Sequence, residues 1–67
     1  MKIEYEFRNT DTFEMGSENI SLKDLNLSFE DWQNTPEDER MNLIAEVHKE
    51  NTGQNVFILT YEDYDYE

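Results

Sequence analysis

The sequence predicts an α+β fold: a small antiparallel β-sheet, made of an N-terminal hairpin and a C-terminal strand, packed against one main α-helix with a short helix before it. Three stretches predict it. Lys2-Ile3-Glu4-Tyr5-Glu6-Phe7-Arg8 alternates strictly between apolar and charged residues, the period of a half-buried strand. The segment 35–53 opens on Thr-Pro and closes on Gly53, a start and a stop for a helix. Val56-Phe57-Ile58-Leu59-Thr60-Tyr61 is an apolar, β-branched and aromatic run of strand length. Taken in the order β-β-(short α)-α-β, these elements give every apolar face a partner within a single domain spanning residues 1–67.

In the first strand Ile3, Tyr5 and Phe7 point one way and Lys2, Glu4, Glu6 and Arg8 the other. Asn9-Thr10-Asp11 is turn material, because Asn and Asp side chains bond to nearby backbone. Thr12-Phe13-Glu14-Met15 is expected to return antiparallel, with Gly16-Ser17-Glu18-Asn19 breaking the strand. From 20 to 33 the apolar residues Ile20, Leu22, Leu25, Leu27, Phe29 and Trp32 fit neither period, so capping signals decide. Ser21, Ser28 and Thr35 are each followed three residues later by an aspartate, the spacing of a helix cap. Helical turns are therefore expected over 22–26 and 29–33, with Trp32 as the chief apolar anchor.

For the main helix, Thr35 is the expected cap, Pro36 the first helical residue, where its missing N–H costs nothing, and Gly53 the terminator. At about 100° per residue, Met41, Leu43, Ile44, Ala45, Val47 and His48 share an apolar arc, and Asp38, Glu39, Asn42, Glu46, Lys49 and Glu50 the opposite one. The run 56–61 suits a central strand or one covered on both faces. Alternation then resumes, sending Asp63, Asp65 and Glu67 to one side and Glu62, Tyr64 and Tyr66 to the other.

Charge sets this chain apart. Seventeen acidic residues against five basic give −12, where solubility asks a small domain for a magnitude of only roughly 2–8. Self-repulsion opposes the compact state, yet a content of 36% hydrophobic and 13% aromatic residues belongs to a chain that folds. Without cysteine no disulfide can staple the domain, and stability rests on packing. No apolar run is long enough to span a membrane, and the first residues lack the apolar stretch of a signal peptide. A cytoplasmic protein with no membrane partner is expected.

Catalytic chemistry is sparse. The chain has no cysteine nucleophile, no serine in a nucleophile elbow, and one histidine, His48. His48 reads as a residue at the edge of the helix's apolar arc, so no catalytic residue is assigned and no enzyme is expected. Carboxylates abound, but acid–base work needs a pocket that drives two pKa values apart. Asp63-x-Asp65-x-Glu67 begins like a calcium loop and lacks the glycine and distal glutamate that complete one; no metal or other cofactor is expected. Five basic residues are too few to neutralise a phosphate backbone, which argues against direct nucleic-acid binding.

Turned around, the same charge gives a function. Acidic side chains in rows suit the groove that a basic nucleic-acid-binding protein keeps for phosphates. Same-face residues of a strand lie about 6.8 Å apart, roughly two nucleotide steps. Three rows are on offer: Glu4 and Glu6; Asp63, Asp65 and Glu67, with Glu62 beside them; and Asp38, Glu39, Glu46 and Glu50 on the helix. Tyr64 and Tyr66 suit stacking on arginine or filling a base slot. The bland reading is a solvated acidic surface, and the size of the net charge favours the mimic over it.

A compact, cysteine-free, strongly acidic chain with a Trp32-Gln33-Asn34-Thr35-Pro36-Glu37-Asp38-Glu39-Arg40 helix start resembles the small proteins that bacteriophages and mobile elements encode against host nucleic-acid machinery. Among these are DNA mimics, anti-restriction and anti-CRISPR inhibitors, and polymerase or glycosylase inhibitors. The resemblance covers size and composition along the whole chain and implies a non-catalytic inhibitor of a basic host protein. The alternative, from another class, is an interaction module that binds through apolar surface, with Trp32, Phe29, Met41 or the run 56–61 as its contact and a homodimer formed through the C-terminal strand.

Overall fold

Strand β1 (Lys2–Asn9) is the centre of a three-stranded sheet, with β2 (Met15–Ser21) on one side and β3 (Val56–Tyr64) on the other, both antiparallel to it. Between β2 and β3 the chain forms α1 (Leu22–Leu25), α2 (Phe29–Gln33) and α3 (Glu37–Thr52). The computed structural model describes residues 1–64. Asp65, Tyr66 and Glu67, read above as part of the acidic and aromatic tail, lie outside the described residues. The expected α+β architecture is present, with two short helices ahead of the main one.

The hairpin differs from expectation at its return. Gly16-Ser17-Glu18-Asn19, read as a strand breaker, is the body of β2, and Thr12-Phe13-Glu14 belongs to the turn. Asn9 accounts for the shift. Its buried side-chain Oδ1 accepts from the backbone N–H groups of Asp11 at 2.8 Å and Thr12 at 3.0 Å, and Phe13 takes the left-handed φ of 65°. This Asx turn uses up the loop before pairing resumes. Gly16 sits opposite Phe7, where a Cβ would lie 2.8 Å from the ring's Cζ. The glycine admits the ring and does not end the strand.

The capping signals hold for the short helices. The Asp24 carboxylate accepts from the Ser21 N–H at 2.9 Å and the Ser21 hydroxyl at 3.2 Å, and Ser28 Oγ accepts from the Asp31 N–H at 3.1 Å. The third cap is displaced by one residue. Pro36, not Thr35, is the N-cap residue of α3, and the Thr35 hydroxyl is engaged elsewhere, donating to the Asp31 carbonyl at 2.6 Å. Gly53 ends α3 with a φ of 76°, its N–H donating to Lys49 O at 2.7 Å.

The helices cover one face of the sheet. Ile3, Tyr5 and Ile20 from the strands meet Leu22, Leu25, Trp32 and Ile44 in a single buried cluster, with Phe7, Ile58 and Tyr61 packed against it. Trp32 is fully buried, and its indole N–H donates to Asp63 Oδ2 at 2.8 Å. Arg40 lies 4.7 Å over the Trp32 ring and donates from Nε to Trp32 O at 3.1 Å. One of the five basic residues is thereby committed to the core.

The run 56–61 is an edge strand, which corrects its reading as central or doubly covered. Val56 is buried while Phe57 and Leu59 stay exposed, so only alternate residues find cover. A bulge falls between the pairs Glu6↔Thr60 and Phe7↔Ile58, leaving Leu59 as the extra residue. It reverses the parity of the strand. Val56 and Ile58 face the helices before it, and Tyr61 and Asp63 after it.

Candidate functional site

The face of the sheet turned away from the helices holds charged and polar side chains in four cross-strand rows. In order along β1 these are Ser21–Lys2–Tyr64, Asn19–Glu4–Glu62, Ser17–Glu6–Thr60 and Met15–Arg8–Phe57. Strand alternation puts Glu4 and Glu6 here, because Ile3, Tyr5 and Phe7 are drawn to the core. The bulge at Leu59 puts Glu62 and Tyr64 here as well; with uninterrupted alternation they would face the helices with Ile58. Two acidic rows in the middle are thus bounded by a cationic residue at each end, Lys2 and Arg8.

Glu4 and Glu62 are direct cross-strand partners, a position where Cβ atoms lie about 4.5–5.5 Å apart and like charges oppose pairing. The Tyr64 hydroxyl donates to Glu62 Oε2 at 2.6 Å, fixing that carboxylate over the face. Glu4, Glu6, Ser17, Thr60, Glu62 and Tyr64 line an open depression of about 350 Å³. Its chemistry suits a cation or a row of them: carboxylates for charge and hydroxyls for hydrogen bonds, with Tyr5, Tyr61 and Tyr64 also in the lining.

Of the sequence-predicted site residues, this face gathers Glu4, Glu6, Glu62 and Tyr64. It does not gather the other described ones. Asp38, Glu39, Glu46 and Glu50 are exposed on α3, whose buried Ile44 and His48 face the sheet, so the helical row lies on the far side of the molecule. Asp38 and Glu39 also have a local use, since both sit in the first turn, at the positive end of the helix dipole. Asp63 leaves its expected row, because it faces the helices and accepts from the Trp32 indole. Among the described residues, the predicted site acids therefore fall on two separate faces, with Asp63 apart from both. Sequence reasoning placed Lys2 and Arg8 on the face of Glu4 and Glu6 without giving them a role, and it missed the polar partners: Ser17 and Asn19 because 16–19 was read as a strand breaker, and Thr60 because the bulge was not foreseen.

His48 corrects a second reading. It is not at the edge of the apolar arc but 3% exposed in the core, hydrogen-bonded through Nδ1 to the Tyr5 hydroxyl at 2.7 Å. Its ring packs against Phe7 at a centroid distance of 4.4 Å, and Nε2 has no hydrogen-bond partner among the described residues. Burial, with Glu18 adding to it, pushes the Tyr5 phenol up to about 12. Trp32 is likewise removed from the candidate contact surface by its burial, whereas Phe29, Phe57 and Met15 remain exposed.

Among the described residues, no three His, Cys, Asp or Glu side chains are placed to hold a metal ion, and no helix is long and apolar enough to cross a membrane. Compared with known proteins, the chain matches no family model, no curated protein and no solved structure.

Proposed function

We propose that this protein is a non-catalytic binding protein of the cell interior that lays the acidic open face of its sheet against a basic, nucleic-acid-binding surface of a partner protein, as a nucleic-acid mimic. Counter-defence inhibitors of phages are the kind of protein that work this way. One observation carries the reading: Glu4 is set directly opposite Glu62, with Glu6 beside them, on a face that none of the described helices covers. Opposed like charges weaken strand pairing, so this arrangement works against the fold. A cation brought by a partner reverses the sign of that interaction. Asp24 at its capping box and Asp63 on Trp32 hold helices in place, whereas Glu62 accepts from Tyr64 of its own strand.

The test is capture from a nuclease-treated lysate at low salt by the immobilised protein. Bound proteins are expected to elute as salt rises and to be displaced by duplex DNA. A Glu4→Gln, Glu6→Gln, Glu62→Gln triple variant should lose them, and an Asp38→Asn, Glu39→Gln, Glu46→Gln, Glu50→Gln variant should keep them. Equal capture by the triple variant and the parent overturns the reading.

A further inference from the structure

The nine-residue strand β3 is an edge: among the described residues its only strand neighbour is β1. An edge strand presents a row of backbone groups to whatever chain can pair with it. Beyond the Leu59 bulge, Thr60, Glu62 and Asp63 are exposed, and Glu62 carries an unfavourable like-charged neighbour, Glu4, on its inner side. A strand added on the outer side places a residue directly opposite Glu62 and two strand spacings, roughly 9.5 Å, from Glu4. A lysine or arginine there offsets Glu62 directly and relieves the repulsion that Glu62 shares with Glu4.

This chain does not supply that residue. The two strands with an open edge, β2 (MGSENIS) and β3 (VFILTYEDY), contain no lysine or arginine, and two copies that each carry −12 repel one another. Self-pairing of β3, or pairing of β3 with β2 of a second copy, leaves Glu62 without a cation opposite it. We infer that the outer edge of β3 docks an extended, lysine- or arginine-bearing segment of a partner protein, which joins the sheet as a fourth strand with a basic side chain facing Glu62. On the same face, the exposed Phe57 offers an apolar contact farther along the strand. The inference rests on the proposed function in requiring a cationic partner, and adds to it a backbone-paired geometry that charge alone does not demand.

The probe is a capped octapeptide alternating lysine and valine, set against the same peptide N-methylated at alternate residues. Both carry the same charge, but only the first pairs as a strand. The unmethylated peptide is expected to bind about tenfold more tightly or better, since several backbone hydrogen bonds are at stake, and to slow hydrogen exchange at β3 amides. Glu62→Lys, which gains a favourable pair with Glu4 and should fold, is expected to lose that binding and to accept the corresponding glutamate–valine peptide instead. Equal binding of the two lysine peptides, or unchanged exchange at β3, overturns edge docking. In that case DNA-displaceable capture, if it persists, leaves the mimic reading standing. A homodimer on size exclusion with β3 protected in the absence of any peptide also overturns it, by naming a second copy as the occupant.

Discussion

On the helix side of the sheet Ile3, Tyr5 and Ile20 are buried against Trp32 and Ile44, whereas on the open side of the same strands Glu4 faces Glu62 with Glu6 beside them, all three exposed. Neighbouring residues of one strand thus live under opposite rules, and the difference comes from what covers each face. The covered side gains from every apolar atom removed from water. The open side bears a local electrostatic cost that the proposed cationic partner would offset. Stability and binding should therefore separate cleanly by face, and substitutions can break or sharpen that separation.

The harshest break is Trp32→Ala. The side chain is fully buried, ties α2 to β3 through Asp63 and carries Arg40 on its ring. Removing a buried tryptophan costs about 3–5 kcal/mol, comparable to what a single core of this size supplies. Urea titration is expected to show loss of cooperative unfolding, while the Glu4, Glu6, Glu62 triple variant unfolds as sharply as the parent.

Next in size is the Tyr5–His48 contact, a buried polar pair inside the covered face. His48→Phe leaves the Tyr5 hydroxyl buried without its 2.7 Å partner, a loss of about 1–3 kcal/mol. Adding Tyr5→Phe removes the orphaned hydroxyl. The double variant should be less destabilised than the sum of the two single ones, and a denaturation cycle over the four proteins measures the coupling.

Much of this contrast was legible beforehand. The strict alternation of residues 2–8 announced which side chains of β1 would be covered, and Ser21, Ser28 and Gly53 marked helix ends that the structure keeps. What escaped were effects of long-range geometry. The bulge at Leu59 depends on how β3 meets β1, and no local pattern states it; yet it decides that Glu62 joins Glu4 while Asp63 turns to Trp32. The burial of His48 depends on Tyr5, forty-three positions away. The Thr35 hydroxyl was drawn off by a carbonyl of the preceding helix, a competition that a capping motif read alone does not reveal.

A gentler probe of the covered face is alkaline pH. Burial, then Glu18, raises the Tyr5 phenol from 10.0 to about 12, so between those values the unfolded chain has released this proton while the folded one retains it. Stability tied to the group is complete below pH 10 and falls as pH rises toward 12. Urea midpoints for the parent should decline over this window more steeply than those of Tyr5→Phe. Identical slopes would remove Tyr5 as the cause.

The smallest effect lies on the open face and has the opposite sign. Glu62→Gln removes the repulsion from Glu4 and keeps an amide oxygen to accept from Tyr64, which donates to Glu62 at 2.6 Å in the parent. A directly opposed cross-strand pair is worth about 0.2–1 kcal/mol, so this variant should be slightly more stable than the parent, by an amount that shrinks as added salt screens the charges. Capture of DNA-displaceable partners should weaken in the same variant. A substitution that strengthens the fold while weakening binding is what the contrast between the two faces demands, because a carboxylate serving the fold would lose stability on neutralisation and leave capture unchanged.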